Sequence, residues 1–194
     1  MYAALKGSKP EFGAHTIADG IAVKEPGKLT LEIIRREVED ILLVEEGDIE
    51  QAMLLLLEIE KTVVEGAGAV GLAALLSNRT RFEGSKVGIV LSGGNIDPLM
   101  MTDIVGRGMV RAGRLTRLQV ELRDQPGALA KVAATLAEAN ANIVEVHHER
   151  AFTHLPVQSA VVELVLQTRG HDHVQQIIAA LESVGFKARL HNRD

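Results

Sequence analysis

The stretch LTRLQVELRDQPG, residues 115–127, decides the fold of the second half of the chain. In it, Leu118, Val120 and Leu122 alternate with polar residues, a pattern that predicts a strand with one buried face. The sequence Asp124-Gln-Pro-Gly127 then ends the alternation, and its proline is suited to the first turn of a helix. This stretch therefore predicts a strand that leads directly into a helix.

The residues that follow continue the same alternation of strands and helices. Two segments carry apolar residues at helical spacing, and three segments carry the alternation of a strand. The predicted order is therefore βαββαβ, a ferredoxin-like motif with both helices on one face of a four-stranded sheet. Val161 and Val165 lie on the opposite face from Leu164, so this face and a sheet edge are expected to pair with a second copy.

Residues 1–105 carry a different mixture of signals. Residues 1–29 predict loops and short turns, and Thr30 is a plausible N-cap for the helix that follows. The apolar runs at 40–44 and 86–91 predict buried strands, with helices between them. Strands that alternate with helices favour an α/β layer with a parallel sheet.

Composition limits the classes of function. The chain has 194 residues, 46% apolar and 24% charged, which predicts one or two globular domains. It has no cysteine, which excludes disulfides and thiolate metal sites. A net charge of −5 and 3% aromatic residues disfavour nucleic-acid binding. The longest strongly apolar run is too short to span a membrane and no secretory signal is visible, so a cytoplasmic protein is expected.

A basic, glycine-rich stretch over residues 106–114 divides the two patterns. Its three arginines fall at helical spacing, which favours a solvated linker helix over an anion site. The predicted domains are therefore 1–105 and 115–194, joined by a linker over 106–114.

Three motifs in the first domain resemble the threonine ammonia-lyase (threonine dehydratase) family. They are Thr16-Ile-Ala-Asp-Gly20 with Pro26-Gly27 after it, Val64-Glu-Gly-Ala-Gly-Ala69, and Leu91-Ser-Gly-Gly-Asn95. The βαββαβ unit with Asp124-x-Pro-Gly127 resembles an ACT domain, the effector-binding module attached to many of these enzymes. The resemblance implies a partial three-layer catalytic domain of fold type II, like tryptophan synthase β, followed by an α+β ferredoxin-like ACT domain.

The resemblance also implies an activity and a cofactor. Members of this family deaminate L-threonine to 2-oxobutanoate and ammonia with pyridoxal 5'-phosphate, a step of isoleucine biosynthesis, under allosteric control by the ACT domain. Two alternatives stay open: a non-catalytic amino-acid-binding ACT protein, and serine dehydratase or racemase activity in the same pocket. The expected partners are an amino-acid substrate, an effector and further copies of the chain, with no nucleic acid or membrane.

The lysine that binds the cofactor in this family lies in a Ser-x-Lys-x-Arg-like motif near the N-terminus. Ser8-Lys9-Pro10 does not match that motif, and no mid-chain phosphate loop is visible. We therefore expect the chain to be the C-terminal part of the enzyme, or a separately encoded piece, and to be inactive by itself.

By resemblance, six residues contact or shape the cofactor site. The neutral hydroxyl of Ser92 would face the pyridine nitrogen and leave it unprotonated, which favours loss of a β-hydroxyl over full carbanion chemistry. The glycines would let backbone approach the ring, although such loops are also ordinary turns or helix ends. The predicted cofactor-binding residues are Gly20, Glu65, Ser92, Gly93, Gly94 and Asn95.

The start of the first helix of the ACT domain is the predicted effector site. Its backbone N–H groups suit a carboxylate, and Asp124 or Asn142 would meet the ammonium group of an amino acid. The predicted effector-binding residues are Asp124, Gln125, Gly127 and Asn142, with a purely structural helix cap as the alternative. No metal site is predicted, because the His171-x-His173 and Glu145-x-His147 pairs have no second group of ligands nearby.

Overall fold

The computed structural model describes residues 1–8, 15–149, 156 and 158–191. Part of the loop predicted over residues 1–29, namely 9–14, lies outside the described residues. The chain divides into two compact units, Met1–Val105 and Gly106–Asp194.

The first unit consists of helices joined by loops. Its two central helices, α3 (Glu46–Glu58) and α4 (Gly66–Ser77), pack together around small and medium apolar side chains such as Ala52, Met53 and Ala69. The helices are α1 (Tyr2–Lys6), a 3-10 helix (Asp19–Ile21), α2 (Lys28–Glu37), α3 (Glu46–Glu58), α4 (Gly66–Ser77), α5 (Arg79–Phe82) and α6 (Pro98–Arg111).

The two strands predicted in the first unit are not formed. Residues 40–44 and 86–91 carry no strand, and every strand found in the described residues belongs to the second unit. A strand exists only where a neighbour completes its hydrogen bonds, and no described residue does so here. Val90 is accordingly 84% exposed. The predicted parallel sheet is therefore wrong for the described part of the chain.

Two predicted helix boundaries also differ from the structure. Helix α2 begins at Lys28 with Gly27 as its N-cap, and the hydroxyl of Thr30 donates to the Gly27 carbonyl at 2.9 Å. Thr30 is therefore inside the helix and does not cap it. The residues predicted as a linker include the last six of α6, and they lie in the second unit.

The second unit has the predicted βαββαβ order. Its antiparallel sheet has the strand order β2 (Asn142–Glu149), β3 (Ser159–Gln167), β1 (Leu115–Arg123) and β4 (Lys187–Leu190). Leu118, Val120 and Leu164 pack beneath both helices. The elements are β1 (Leu115–Arg123), α7 (Ala128–Glu138), β2 (Asn142–Glu149), β3 (Ser159–Gln167), α8 (His171–Ser183) and β4 (Lys187–Leu190).

The open face of this sheet is less apolar than the sequence predicts. Val161 and Val165 are each only 8% exposed, and their cross-strand neighbours on β1 are the long polar residues Glu121 and Arg117. The free apolar side chains lie instead on the edge strand β2, where a bulge at Val144 leaves that side chain exposed.

Among the described residues, none of the helices combines the length and apolar character that crossing a bilayer requires.

Candidate functional site

The three motifs of the first unit meet around the carboxylate of Glu65. The Glu65 N–H donates to the Gly93 carbonyl at 3.2 Å. A Cβ added at Gly93 would lie 2.2 Å from Glu65 Oε1, and one added at Gly20 would lie 3.6 Å from the same oxygen. Both glycines therefore lie directly against this side chain. Gly93 also has a φ of 77°, a left-handed backbone conformation that residues with a side chain rarely adopt.

The N-terminus of α4 is held between the other two motifs by close backbone contacts. A Cβ at Gly68 would lie 1.7 Å from the carbonyl oxygen of Ser92, and one at Gly66 would lie 2.1 Å from that of Ile17. Since no side chain fits at either position, the small residues of this helix fix the spacing between the two loops.

The loop that precedes Gly20 is anchored by polar contacts. The Ala18 N–H donates to Thr16 Oγ1 at 3.1 Å, and the Ile17 N–H donates to Glu46 Oε2 at 3.0 Å. The sequence analysis missed this role of Glu46, because its place in the first turn of α3 explains an acidic residue equally well.

Ser92 and Asn95 lie at the exposed side of this site. Neither side chain makes a hydrogen bond within the described part of the chain, so both polar groups are available to a ligand. The sequence predicted that Ser92 follows a strand, but no strand is formed over residues 86–91. The position of Ser92 is set instead by the contact between its carbonyl and Gly68.

A groove of about 580 Å³ lies beside the predicted effector loop in the second unit. One wall is formed by Gln125, Gly127 and the first residues of α7, and Gly127 is the N-cap of that helix with a φ of 89°. The opposite wall is the turn from Val184 to Lys187. The sequence predicted a proline in the first turn of this helix. This prediction is wrong, because Pro126 precedes the N-cap Gly127.

The other two predicted effector residues lie outside this groove. Asp124 Oδ1 is 3.9 Å from His148 Nε2, a buried nitrogen with no hydrogen-bond partner among the described residues. Asn142 pairs in register with Gln167, which pairs with Leu115 at the start of β1. Asn142 is therefore at the opposite end of the sheet from Gly127.

Two residues of the groove were missed by the sequence analysis. The Lys131 ammonium donates to the Val184 carbonyl at 3.0 Å and lies 5.6 Å from the centre of the Phe186 ring. The available signal was the position of Lys131 one helical turn after Gly127, where its charge lies near the N-terminal N–H groups.

The histidine pairs have structural partners. His171 Nε2 donates to the Arg111 carbonyl at 2.9 Å, and His173 Nε2 donates to the Ala139 carbonyl at 2.7 Å. His147 Nε2 lies 3.2 Å from Glu145 Oε2 on the sheet surface. Within the described ranges, no group of three or more such side chains is arranged to hold a metal ion.

Comparison with known proteins agrees with the geometry of both units. Residues 1–93 match the family of pyridoxal-phosphate dependent enzymes, and residues 116–186 match the ACT domain. The L-threonine ammonia-lyase of Geobacter sulfurreducens is 50% identical over 171 residues, which are 88% of this chain and 42% of that protein.

Two further relatives carry related names. The L-threonine ammonia-lyase of Thermotoga maritima is 42% identical over 192 residues, 98% of this chain and 48% of that protein. The catabolic L-threonine dehydratase of Escherichia coli K12 is 45% identical over 93 residues, 47% of this chain and 28% of that protein. The chain thus spans just under half the length of the two ammonia-lyases.

The motifs gathered around Glu65, the antiparallel βαββαβ sheet and these matches agree with one another. The chain therefore matches the family of pyridoxal-phosphate dependent enzymes over residues 1–93 and the ACT domain over residues 116–186, and it is similar to two L-threonine ammonia-lyases over 88% and 98% of its length.

Proposed function

We propose that the chain is part of an enzyme that deaminates L-threonine to 2-oxobutanoate and ammonia with pyridoxal phosphate. The observation that carries this proposal is the identity of 50% and 42% to two L-threonine ammonia-lyases over 88% and 98% of the chain. Because those relatives are about twice as long, the complete active site is proposed to include polypeptide beyond these residues.

The residues around Glu65 fit one side of a pyridoxal phosphate site. The backbone of Gly20 and the backbone of Gly93 both lie beside the Glu65 carboxylate, since a side chain added at either glycine would approach it. The exposed hydroxyl of Ser92 and the amide of Asn95 supply uncharged polar groups beside it. A neutral hydroxyl suits an aromatic ring nitrogen that is to remain unprotonated.

The pyridoxal group, when bound, supplies an electron sink for the negative charge that develops at the substrate Cα. Ser92 is proposed to hold the ring nitrogen without charging it. The backbone at Gly93 and Gly94 is proposed to approach the ring closely, and the Asn95 amide to supply a polar contact beside it. The lysine that moves the proton is proposed to come from outside this chain, because no lysine here lies in the motif of the family.

Co-expression with the N-terminal half of the Geobacter sulfurreducens relative tests this proposal. The pair is expected to release 2-oxobutanoate from L-threonine faster than from L-serine, and the chain alone to release none. Ser92→Ala is expected to lower kcat/KM about 2- to 10-fold, as loss of one hydrogen bond between uncharged groups does. Gln176→Ala, on the exposed side of α8, is the matched control and should leave the rate unchanged.

Three results would contradict the proposal. A preference for serine would reject threonine as the substrate. Associated halves that release no product would reject the enzyme itself. If borohydride reduction of the isolated chain with pyridoxal phosphate attached a pyridoxyl group to one lysine, the missing lysine would be in this chain after all.

We also propose that the groove beside Gly127 holds the carboxylate of an amino-acid effector. Three cationic residues line it, Arg123, Lys131 and Lys187, against one acidic residue, Glu121. A carboxylate placed at the N-terminus of α7 also benefits from the free N–H groups and the helix dipole. Phe186 and Leu122 add apolar surface for a side chain.

Titration calorimetry of the chain with L-isoleucine, L-valine and L-threonine tests the effector site. One of these is expected to bind, and Lys131→Gln is expected to weaken that binding about tenfold through loss of a charge-assisted hydrogen bond. Gln176→Ala should have no effect. Equal binding by the parent and Lys131→Gln would move the site elsewhere.

A second copy is proposed to pair along β2. This strand is at the edge of the sheet, and Val144 and Val146 on it are exposed. Light scattering after gel filtration is expected to show a dimer or larger assembly, and Val146→Lys to reduce it, since a charge at a sheet edge opposes pairing. Leu99→Lys, at an exposed apolar position of α6, is the control and should leave the assembly unchanged. If the parent chain is a monomer, the proposed pairing along β2 is wrong.

A further inference from the structure

The C-terminal end of α6 closes in a tight turn within the second unit. The Arg114 N–H donates to the Met109 carbonyl at 2.8 Å, and the Gly113 N–H donates to the Val110 carbonyl at 3.0 Å. These two bonds form the Schellman motif, in which a glycine with a left-handed backbone ends the helix, and Gly113 has a φ of 64°. The turn leaves the later carbonyls of the segment without a partner in the helix, so they need donors from elsewhere.

The corner between β3 and α8 supplies those donors. The Thr168 N–H donates to the Arg114 carbonyl at 2.9 Å, and the Thr168 hydroxyl donates to the Gly113 carbonyl. His171 Nε2 donates to the Arg111 carbonyl at 2.9 Å. Thr168 is 9% exposed, so a hydroxyl that lost its acceptor there would remain unpaired and away from water. Two residues of the corner therefore bind three carbonyls at the end of α6.

Close packing fixes the same segment. A Cβ added at Gly113 would lie 2.8 Å from the backbone nitrogen of His171 and 2.8 Å from its Nδ1. Since one of these atoms belongs to the backbone, no side-chain rotation makes room for the added carbon. We call residues 111–114, Thr168 and His171 the joint, because hydrogen bonds and packing hold them as one rigid piece.

Helix α6 connects the joint to the core of the first unit. It runs without interruption from Pro98 to Arg111. Ile104, near its middle, is 4% exposed and belongs to the buried core of the first unit, whereas the joint belongs to the second unit. A continuous helix is a rigid element that can carry a displacement from one end to the other. The joint therefore determines whether α6 follows the sheet of the second unit or moves separately from it.

We propose that the joint makes the end of α6 and the β3–α8 corner one rigid body, through which a change in the second unit acts on the core around Ile104. Thr168 and His171 are then positioning residues of a conformational coupling, since each holds the end of α6 by its carbonyls. The inference rests on the contacts at the end of α6 and needs neither the proposed deamination nor the proposed effector groove.

Residual dipolar couplings of the full chain test the rigid body directly. In the parent, the amides of residues 106–111 and those of β1 and β3 are expected to fit one alignment tensor. Gly113→Ala is expected to require two, because its Cβ would meet His171. Gly84→Ala is the matched control, since Gly84 has a similar φ of 73° but a Cβ there meets no atom within 4 Å. Two tensors in the parent, or equal behaviour of the two variants, would overturn the proposal.

Amide hydrogen exchange of two Thr168 variants tests the hydroxyl bond and its consequence for α6. Thr168→Val keeps the shape and the backbone N–H but removes the hydroxyl, so exchange at residues 109–114 should rise about five- to tenfold, as loss of one hydrogen bond does. The rise should extend to residues 102–105, by about twofold or more. Thr168→Ser keeps the hydroxyl and should exchange at the parent rates. Exchange at residues 118–122 should stay unchanged in both variants, which shows that the sheet remains folded.

Three exchange results would overturn the proposal. Equal rates in Thr168→Val and the parent would show that the hydroxyl does not hold the segment. A rise at residues 109–114 with none at 102–105 would show that α6 does not carry the change. A rise in Thr168→Ser as large as that in Thr168→Val would assign the effect to packing. If Thr168→Val does not fold, His171→Ala replaces it, because it removes the donor to the Arg111 carbonyl at an exposed position. No ligand is added in any of these experiments, so a failure of the proposed threonine deamination would leave their outcome unaffected.

Discussion

The closest backbone contact of the candidate cofactor site makes a sharp prediction about Gly68. A Cβ at this position would lie 1.7 Å from the carbonyl oxygen of Ser92, whereas a normal carbon–oxygen contact needs more than 3 Å. Gly68→Ala therefore forces α4 and the Ser92 loop apart by about 1.5 Å. Backbone lies on both sides of the contact, so no side-chain rotation relieves it.

The expected cost follows from three contributions. Over-packing of this kind costs about 1–3 kcal/mol. The hydrogen bond from the Glu65 N–H to the Gly93 carbonyl, 3.2 Å long, is lost with it and adds about 1 kcal/mol. The better helix propensity of alanine returns about 1 kcal/mol. We expect the free energy of unfolding of the first unit to fall by about 1–3 kcal/mol.

Gly47 provides the matched control, because it also lies in a helix and a Cβ there meets no atom within 4 Å. Gly47→Ala is expected to stabilise by up to about 1 kcal/mol. Hydrogen exchange of residues 64–70 and 91–95, together with urea unfolding, measures both variants. If Gly68→Ala were as stable as Gly47→Ala and exchange at 91–95 were unchanged, the close contact would not exist.

Two further predictions concern single side chains. His173 is 4% exposed, accepts a hydrogen bond from the Arg169 N–H at 3.1 Å and donates one to the Ala139 carbonyl. His173→Ala should therefore lower the free energy of unfolding by about 2–4 kcal/mol in urea, whereas Gln176→Ala should leave it nearly unchanged. A cost below about 1 kcal/mol for His173→Ala would contradict this prediction. The Arg81 guanidinium donates to Asp40 at 2.9 Å and holds the pKa of that carboxyl below its ordinary value. Arg81→Gln should raise the pKa of Asp40 in an NMR titration. It should also remove a small stabilisation of the folded state, which is present above the pKa of Asp40 in the unfolded chain and is lost as the pH falls through its pKa in the folded chain. An unchanged pKa of Asp40 would reject the contact.

The sequence predicted the second unit well because its sheet is completed within the chain. Leu118 and Val120 alternate with polar residues, and β1 finds partners in β3 and β4, so local pattern and final structure agree. In the first unit the run 86–91 has the same apolar character but no described partner, so it forms no strand. Periodicity reports the capacity to form a strand, whereas the hydrogen-bonded neighbour decides whether the strand exists.

The residues of the candidate site were predicted from sequence motifs, which do not give the distances between them. Glu65, Gly20 and Gly93 do lie together, because the glycines permit backbone to reach the carboxylate. Lys131 was missed because a lysine on a helix surface is usually only solvated. The grouping of Asn142 with Gly127 needed the strand register, which no local pattern in the sequence contains.

That register turns the effector site into a question about assembly. Asn142 is level with the start of β1 and Gly127 follows its end, and the nine residues of β1 span about 27 Å at about 3.4 Å per residue. One amino acid cannot contact both within one protomer. If β2 pairs antiparallel with the β2 of a second copy, the start of each strand faces the end of the other, and the partner subunit's Asn142 approaches the loop that holds Asp124. Asn142→Ala is therefore expected to weaken effector binding in the assembled parent and to have no effect in a Val146→Lys background. Calorimetry of the four proteins decides this, and an Asn142→Ala effect of equal size in both backgrounds would show that pairing along β2 does not build the site.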